Sequence, residues 1–179
     1  MSKPTSQSFP IRRVTRLALI SATCIVGRLL FTWIPNVQPM SAIILLIAFY
    51  DTYSNALIVS SLSLLGTNLY LGLGSWTIGQ FIAFTGIITI FHSFSNIPII
   101  QKHIILQACG VFICGLIYGL IASITETFIY QFPYFWMYYL QGIIFDLLHG
   151  IGNFIFYLLI TPIVRRIYHF HSLSKKTLV

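Results

Sequence analysis

The sequence carries very little charge. Only 7% of its 179 residues are charged, and Asp and Glu together number three. Soluble domains carry about a quarter charged residues, so this composition excludes an ordinary globular protein. Hydrophobic residues make up 57% of the chain instead. Because a helix needs about 20 mostly apolar residues to cross a bilayer, the length allows roughly six crossings with short loops.

Cysteine is scarce as well. Cys24, Cys109 and Cys114 all lie in apolar runs and form no CxxC motif. An odd number of cysteines gives no disulfide framework. We therefore interpret the three thiols as small buried hydrophobic side chains.

The few charges are placed unevenly, for a net charge of +7. Basic residues concentrate on cytoplasmic loops of membrane proteins, and this pattern predicts an all-α membrane protein with six transmembrane helices and cytoplasmic N- and C-termini. The basic residues form no single stripe with interleaved aromatics, which argues against nucleic-acid binding. In this six-helix topology nine of the ten Lys and Arg residues would be cytoplasmic: Lys3, Arg12, Arg13, Arg16, Lys102, Arg165, Arg166, Lys175 and Lys176.

The apolar runs predict spans at residues 11–33, 40–50, 53–71, 76–94, 104–130 and 135–164. They form one transmembrane domain over residues 11–166, between cytoplasmic tails at 1–10 and 167–179. The second span is too short to cross perpendicularly by itself. We nevertheless expect it to cross, because a re-entrant second segment would place the two basic ends on opposite faces of the membrane.

The first two spans are separated by a short polar segment, residues 34–39, which we call the 34–39 turn. Pro35 and Pro39 remove two backbone donors and disfavour helical geometry in the residue before each. A continuous helix therefore cannot pass through the segment. Asn36 and Gln38 add amides that both donate and accept hydrogen bonds. We predict a rigid, uncharged lip at one membrane face that touches a solute.

Further amides lie near the ends of the third and fourth spans, at Asn68 and Gln80, with Thr77 one turn from Gln80. Each could simply join two helices by a hydrogen bond. Together with the amides of the 34–39 turn, they predict a neutral site that suits a ligand rich in carbonyls or amides.

Aromatic residues gather at the same loops. One interpretation is a belt at the membrane–water interface, and the other is a stacking wall for a flat, mostly apolar ligand. The residues are Trp33, Trp76, Tyr134, Trp136, Tyr138 and Tyr139.

Two opposite charges fall at similar depth within the spans. Arg28 lies five residues before Trp33, about 8 Å along a helix, and Asp146 lies ten residues after Trp136. An Arg28–Asp146 pair would neutralise both charges, either as a clamp between two helices or as the floor of a pocket. Glu126, near the end of the fifth span, is a further candidate contact or an isolated structural acid.

The sixth span carries a polar stripe. Asp146, His149, Gly150, Asn153 and Tyr157 recur at spacings that place them on one helix face. Such a stripe should face the bundle interior or a cavity, where it could relay protons or form a ligand wall. One carboxylate and one imidazole are too few for a metal centre, so we predict no metal.

Two small-xxx-small patterns permit close helix approach. Gly115 and Gly119 predict packing within the bundle. Ala18 and Ala22 lie near the start of the first span and could instead form a docking face for another subunit.

Taken together, these features resemble the substrate-binding membrane subunit, or S component, of energy-coupling factor (ECF) vitamin transporters. The resemblance covers nearly the whole chain. It is carried by Ala18-xxx-Ala22, by Arg28 with Pro35-Asn36-Val37-Gln38-Pro39, by Trp76-Thr77 with Gln80, and by Phe145-Asp146-Leu147-Leu148-His149 with Gly152-Asn153.

The resemblance implies a multi-pass protein of a bacterial plasma membrane that binds a vitamin from outside and has no cofactor of its own. It would dock through Ala18 and Ala22 on a transmembrane coupling subunit driven by two ATPases. The chain has no GxxxxGK[ST] phosphate loop, so ATP hydrolysis is expected in those partners. An amide-lined mouth with an aromatic rim favours cobalamin, and pantothenate or another small vitamin is the alternative. The expected contacts are Arg28, Asn36, Gln38, Asn68, Trp76, Gln80, Trp136, Tyr139, Asp146 and His149.

Two other classes compete with this interpretation. An intramembrane enzyme could use Asp146, His149 or Glu126 as acid or base, although no paired nucleophile is apparent. A small assembly protein would need Arg28 and Asp146 only as a clamp.

Overall fold

A computed structural model describes residues 11–176, with side chains described for residues 11–166. The predicted tail at 1–10 lies outside the described residues, as do 177–179. Within the described part the chain is all helical and has seven helices: α1 (Ile11–Leu30), α2 (Met40–Tyr50), α3 (Tyr53–Leu71), α4 (Trp76–Phe94), α5 (Pro98–Lys102), α6 (Ile104–Tyr130) and α7 (Phe135–Lys176).

Three of these helices are long and apolar enough to cross a membrane: α4, α6 and the Phe135–Arg166 part of α7. Helix α1 is of sufficient length at 20 residues but carries four arginines, and α3 is rich in serine, threonine and asparagine. The all-helical, membrane-suited architecture expected from the composition is confirmed.

The predicted breaks between helices are close to the observed ones, with two differences. Helix α1 ends at Leu30 and α2 begins at Met40, so the chain breaks across the 34–39 turn as the two prolines require. A five-residue helix, α5, occupies the connection between the predicted spans at 76–94 and 104–130. Helix α7 does not end at residue 164 but passes through Pro162 and continues to Lys176.

Helix α2 forms the centre of the bundle. Nine of its 11 residues are buried, and it packs against α1, α3, α4, α6 and α7. A helix that is apolar on every side is stable only when neighbours surround it. This central position brings its first turn, at Met40 and Ser41, against the middle of α7.

Helices α6 and α7 approach each other closely at glycines. A Cβ atom on Gly115 would lie 2.7 Å from Gly150 Cα, and one on Gly119 would overlap the Asp146 carboxylate. The prediction that Gly115 and Gly119 serve internal packing is confirmed. Ala18 and Ala22, by contrast, are exposed on α1.

The expectation of three buried thiols is wrong for one cysteine. Cys24 and Cys114 are buried, whereas Cys109 is exposed. It faces outward from α6 beside an apolar groove lined also by Phe112 and Ile151.

Candidate functional site

His149 on α7 joins three parts of the chain. Its Nδ1 lies 3.1 Å from the Asn36 carbonyl oxygen and its Nε2 lies 3.3 Å from Ser41 Oγ. A carbonyl oxygen can only accept, so Nδ1 carries the proton, and in the neutral ring Nε2 accepts from the Ser41 hydroxyl. The buried imidazole thus ties the 34–39 turn and the first turn of α2 to the middle of α7.

The conformation of Asn36 makes this arrangement possible. Its φ angle is 56°, in the left-handed region that asparagine tolerates better than most residues. Its side-chain amide donates to the Phe145 carbonyl oxygen over 3.3 Å, while its own carbonyl meets His149. The 34–39 turn is also in contact with α7 through Val37, which packs against Gly152.

A second polar cluster connects α1, α3 and α4. Arg28 Nη1 donates to Thr67 Oγ1 over 2.8 Å and to Asn68 Oδ1 over 3.4 Å. The Asn68 amide in turn donates to Gln80 Oε1 over 2.7 Å and to Thr77 Oγ1 over 3.2 Å. Arg28, Asn68 and Gln80, which the sequence predicted as solute contacts, are therefore brought together, and they also join three helices.

The predicted Arg28–Asp146 pair is wrong. Arg28 directs its guanidinium to α3, and the Asp146 carboxylate makes no hydrogen bond or ion pair within the described residues. Sequence position gave the two residues similar depths but not the direction in which either side chain leaves its helix.

Asp146 and Asn153 instead lie over the glycines of α6. Asp146 is 8% exposed and its carboxylate sits directly on Gly119. Asn153 is fully buried, and its Nδ2 would lie 3.2 Å from a Cβ atom on Gly115. Neither side chain has a hydrogen-bond partner within residues 11–166. Buried polar groups are normally paired, so these two mark a polar seam between α6 and α7 that protein atoms leave unsatisfied.

The remaining stripe residues confirm the predicted face of α7. His149, Gly150 and Tyr157 are buried along with Asp146 and Asn153. Tyr157 lies three turns beyond Asp146 and donates to Gln107 Oε1 over 3.0 Å.

Tyr118 lies between the polar clusters, and no sequence pattern indicated a role for it. Its ring centroid is 5.2 Å from that of His149 and 5.0 Å from that of Phe84, one turn from Gln80 on α4. It lies within electrostatic range of Arg28, Glu126 and Asp146. A tyrosine among so many polar side chains was recognisable only once the helices were assembled.

The first ten residues of α7, 135–144, precede the point at which the helix contacts the 34–39 turn. Phe145, which contacts Asn36, is ten residues into the helix, or about 15 Å along it. This segment carries Trp136, which is 69% exposed, and Tyr139, which is half-buried and stacks on Phe135 with centroids 5.9 Å apart. The helix therefore carries these aromatic side chains beyond the point at which it contacts Asn36.

The other predicted contacts are less closely connected to these clusters. Trp76 is 41% exposed and folds over Gly74, and Trp33 is fully on the surface at 75% exposure, as an interfacial belt requires. Gln38 is half-buried. Glu126 accepts a hydrogen bond from Tyr138.

The opposite end of the bundle is closed by a network that the sequence did not reveal. Arg165 Nε donates to the Tyr50 hydroxyl over 2.8 Å, and Tyr50 donates to Gln107 Oε1 over 2.7 Å. At the same end Arg16 forms an ion pair of 2.8 Å with Asp51. We call this the arginine end, and the end that carries the 34–39 turn the turn end.

The grooves on the surface of the described bundle include the following two. One is the apolar groove beside Cys109, and the other lies between α1, α2 and α7 at the arginine end. Neither is lined by a predicted solute contact.

Comparisons with known proteins do not assign the chain to a family. It matches no protein-family model, no curated protein and no solved structure.

Proposed function

We propose that this chain is the substrate-specific membrane subunit of an ECF-type importer in a bacterial plasma membrane. It binds a vitamin at the turn end and delivers it by docking on a coupling subunit powered by two ATPases. The observation that carries the proposal is the set of polar side chains at the turn end: two hydrogen-bonded clusters that each join several helices, with Tyr118 between them.

The chemistry of these clusters favours binding over catalysis. Asn36, Asn68 and Gln80 offer amides, and Arg28 offers a cation whose guanidinium is already oriented by Thr67. Such groups recognise carbonyls, amides and carboxylates. Intramembrane polar side chains are costly and usually mark a solute pathway.

The proposed topology has six crossings with both termini in the cytoplasm. The arginine end then faces the cytoplasm, as the positive-inside rule requires, and the turn end faces outward. Helix α2 contributes a crossing with the 34–39 turn as its outer extension. The two tails at 1–10 and 167–179 are cytoplasmic in this topology.

Cobalamin is the favoured vitamin and pantothenate, or another small vitamin, the alternative. The exposed aromatic side chain of Trp136, the half-buried Tyr139 and the exposed Asn36 amide suit a wide, amide-bearing solute. A smaller vitamin would use Gln80 and Arg28 without the aromatic side chains of α7.

The enzyme alternative finds less support in the geometry. Both ring nitrogens of His149 are engaged by Asn36 and Ser41, and Asp146 is not hydrogen-bonded to the imidazole. A general base must be within reach of the proton that it abstracts. His149 is only 3% exposed and Ser41 is fully buried, so a substrate would have no access to either.

The test is equilibrium binding of cobalamin and pantothenate to the purified chain, compared with Asn36→Ala, Gln38→Ala and Gln80→Ala variants. The proposal predicts saturable binding of one vitamin that each variant weakens. Absence of binding to any vitamin, or turnover of a lipid or peptide by the chain alone, would overturn it.

A further inference from the structure

A groove of about 640 Å³ runs between α1, α2 and α7 at the arginine end. Its wall is apolar and includes Leu19 and Ile20 of α1, Ile43 and Ile47 of α2, and Val164 of α7. Its volume lies within the range of ligand-binding pockets. It is separate from the clusters at the turn end and shares no residue with them.

The groove has one charged mouth. Arg12, Thr15 and Arg16 line it at the start of α1. From Arg12 to Ile20 is eight residues, so the groove extends about 12 Å along the helix from the charged mouth toward its apolar depth. A basic group at one end and an apolar slot below it match an amphiphile with an anionic head.

The three arginines at the start of α1 are used differently. Arg13 donates to Asn55 Oδ1, with a shortest distance of 2.6 Å, and Arg16 pairs with Asp51 at 2.8 Å. Arg13 thereby fastens α1 to α3, and Arg16 fastens α1 to the connection between α2 and α3. Arg12 is exposed and has no hydrogen bond or ion pair within the described residues, so no side chain of residues 11–166 neutralises its charge.

We propose that this groove is a binding site for one anionic phospholipid. The lipid phosphate meets Arg12, and an acyl chain lies in the slot formed by Leu19, Ile20, Ile43 and Ile47. Basic pockets between helices on the cytoplasmic side bind anionic head groups in this manner. A helix of a partner protein would fill the apolar slot but would leave Arg12 without an anion.

The experiment is native mass spectrometry of the full chain after exchange into micelles that contain equal amounts of phosphatidylglycerol and phosphatidylcholine. We expect one retained phospholipid per chain, with phosphatidylglycerol favoured about fivefold, the effect of roughly one basic residue near an anionic group. Arg12→Gln should reduce the preference to near unity. Arg166→Gln, an exposed arginine at the same end that does not line the groove, should leave it unchanged.

A second pair of variants tests the slot itself. Thr15→Trp places an indole in the groove and should abolish retention of both lipids. Thr23→Trp is the matched control. Thr23 is also exposed on α1 and its hydroxyl likewise bonds a carbonyl of its own helix, at Leu19, but it does not line the groove. Equal retention of the two lipids by the unmodified chain, no retention at all, or identical behaviour of the two tryptophan variants would overturn the proposal.

Discussion

His149 Nδ1 donates to the carbonyl oxygen of Asn36 over 3.1 Å, although the two residues are 113 positions apart in the chain. The Asn36 amide returns a bond to Phe145, one turn earlier on the same helix. The 34–39 turn is therefore fastened to α7 at two points, and its position at the proposed binding site depends on α7.

Replacing His149 by alanine should loosen this attachment. The variant leaves the Asn36 carbonyl and the Ser41 hydroxyl without their partner, and a buried unsatisfied group costs about 1–3 kcal/mol. We expect a lower melting temperature in detergent and weaker vitamin binding. Gln141→Ala, at an exposed position of the same helix, should change neither. Normal stability and binding in His149→Ala would show that the imidazole does not hold the turn.

The hydrogen-bonded cluster of Arg28, Thr67, Asn68, Thr77 and Gln80 predicts that two substitutions lower the stability by different amounts. Asn68→Leu removes an acceptor from Arg28 and the donor to Gln80, so a charge stays within the bundle with fewer bonds. Arg28→Met removes the charge and leaves only a neutral acceptor, Asn68 Oδ1, without its donor, and an unsatisfied neutral group costs less than an unsatisfied charged one. Thermal unfolding should therefore show the larger loss for Asn68→Leu, by about 1–3 kcal/mol, while vitamin binding falls in both. The opposite order of stability would contradict the assigned cluster.

Gly119 predicts a packing effect that can be traced to one side chain. A Cβ atom there would lie 1.9 Å from Asp146 Oδ1, so Gly119→Ala must displace the carboxylate or separate α6 from α7, at about 1–3 kcal/mol or more. Adding Asp146→Ala should recover much of the loss, and the double-mutant cycle measures this coupling. Gly142→Ala is the control, since a Cβ atom on Gly142 meets nothing within 4 Å; alanine there should be neutral or stabilising by up to about 1 kcal/mol. Additive effects of Gly119→Ala and Asp146→Ala would disprove the contact.

The docking proposal separates binding from transport. Ala18 and Ala22 are exposed, so Ala22→Trp does not disturb the core and should leave vitamin binding by the chain unchanged. In cells that contain the coupling subunit and ATPases it should abolish uptake. Ile124→Trp, at an exposed position of α6, should spare both. Unchanged uptake with Ala22→Trp would defeat the docking proposal.

The sequence predicted the helices better than their contacts. Two prolines four residues apart mark the break between α1 and α2 whatever the surroundings, and the spacing of Asp146, His149 and Asn153 defines one face of α7. Periodicity, however, shows only which residues share a helix face. It does not show which residues of other helices pack against that face. This is why Arg28 was paired with Asp146, although Thr67 and Asn68 of α3 are its neighbours.

The residues that sequence reasoning missed are of common types, and their contacts form only when the helices are assembled. Ser41 and Tyr118 lie in apolar stretches where a single hydroxyl carries no signal, and they gain meaning only from their contact with His149. Thr67 precedes Asn68 directly and could have been selected with it. Gln107 directly precedes a run of small residues that begins at Ala108. Nothing in that run indicates that the hydroxyls of Tyr50 and Tyr157 both donate to Gln107.

The most direct test of the central claim is mass spectrometry of small molecules that co-purify with the chain from vitamin-rich medium, compared with a Gln80→Leu variant. We expect one vitamin, near one molecule per chain, that is lost or strongly depleted in the variant while both proteins retain phospholipid. Purified protein that folds but carries no vitamin, or a vitamin retained equally by Gln80→Leu, would contradict it.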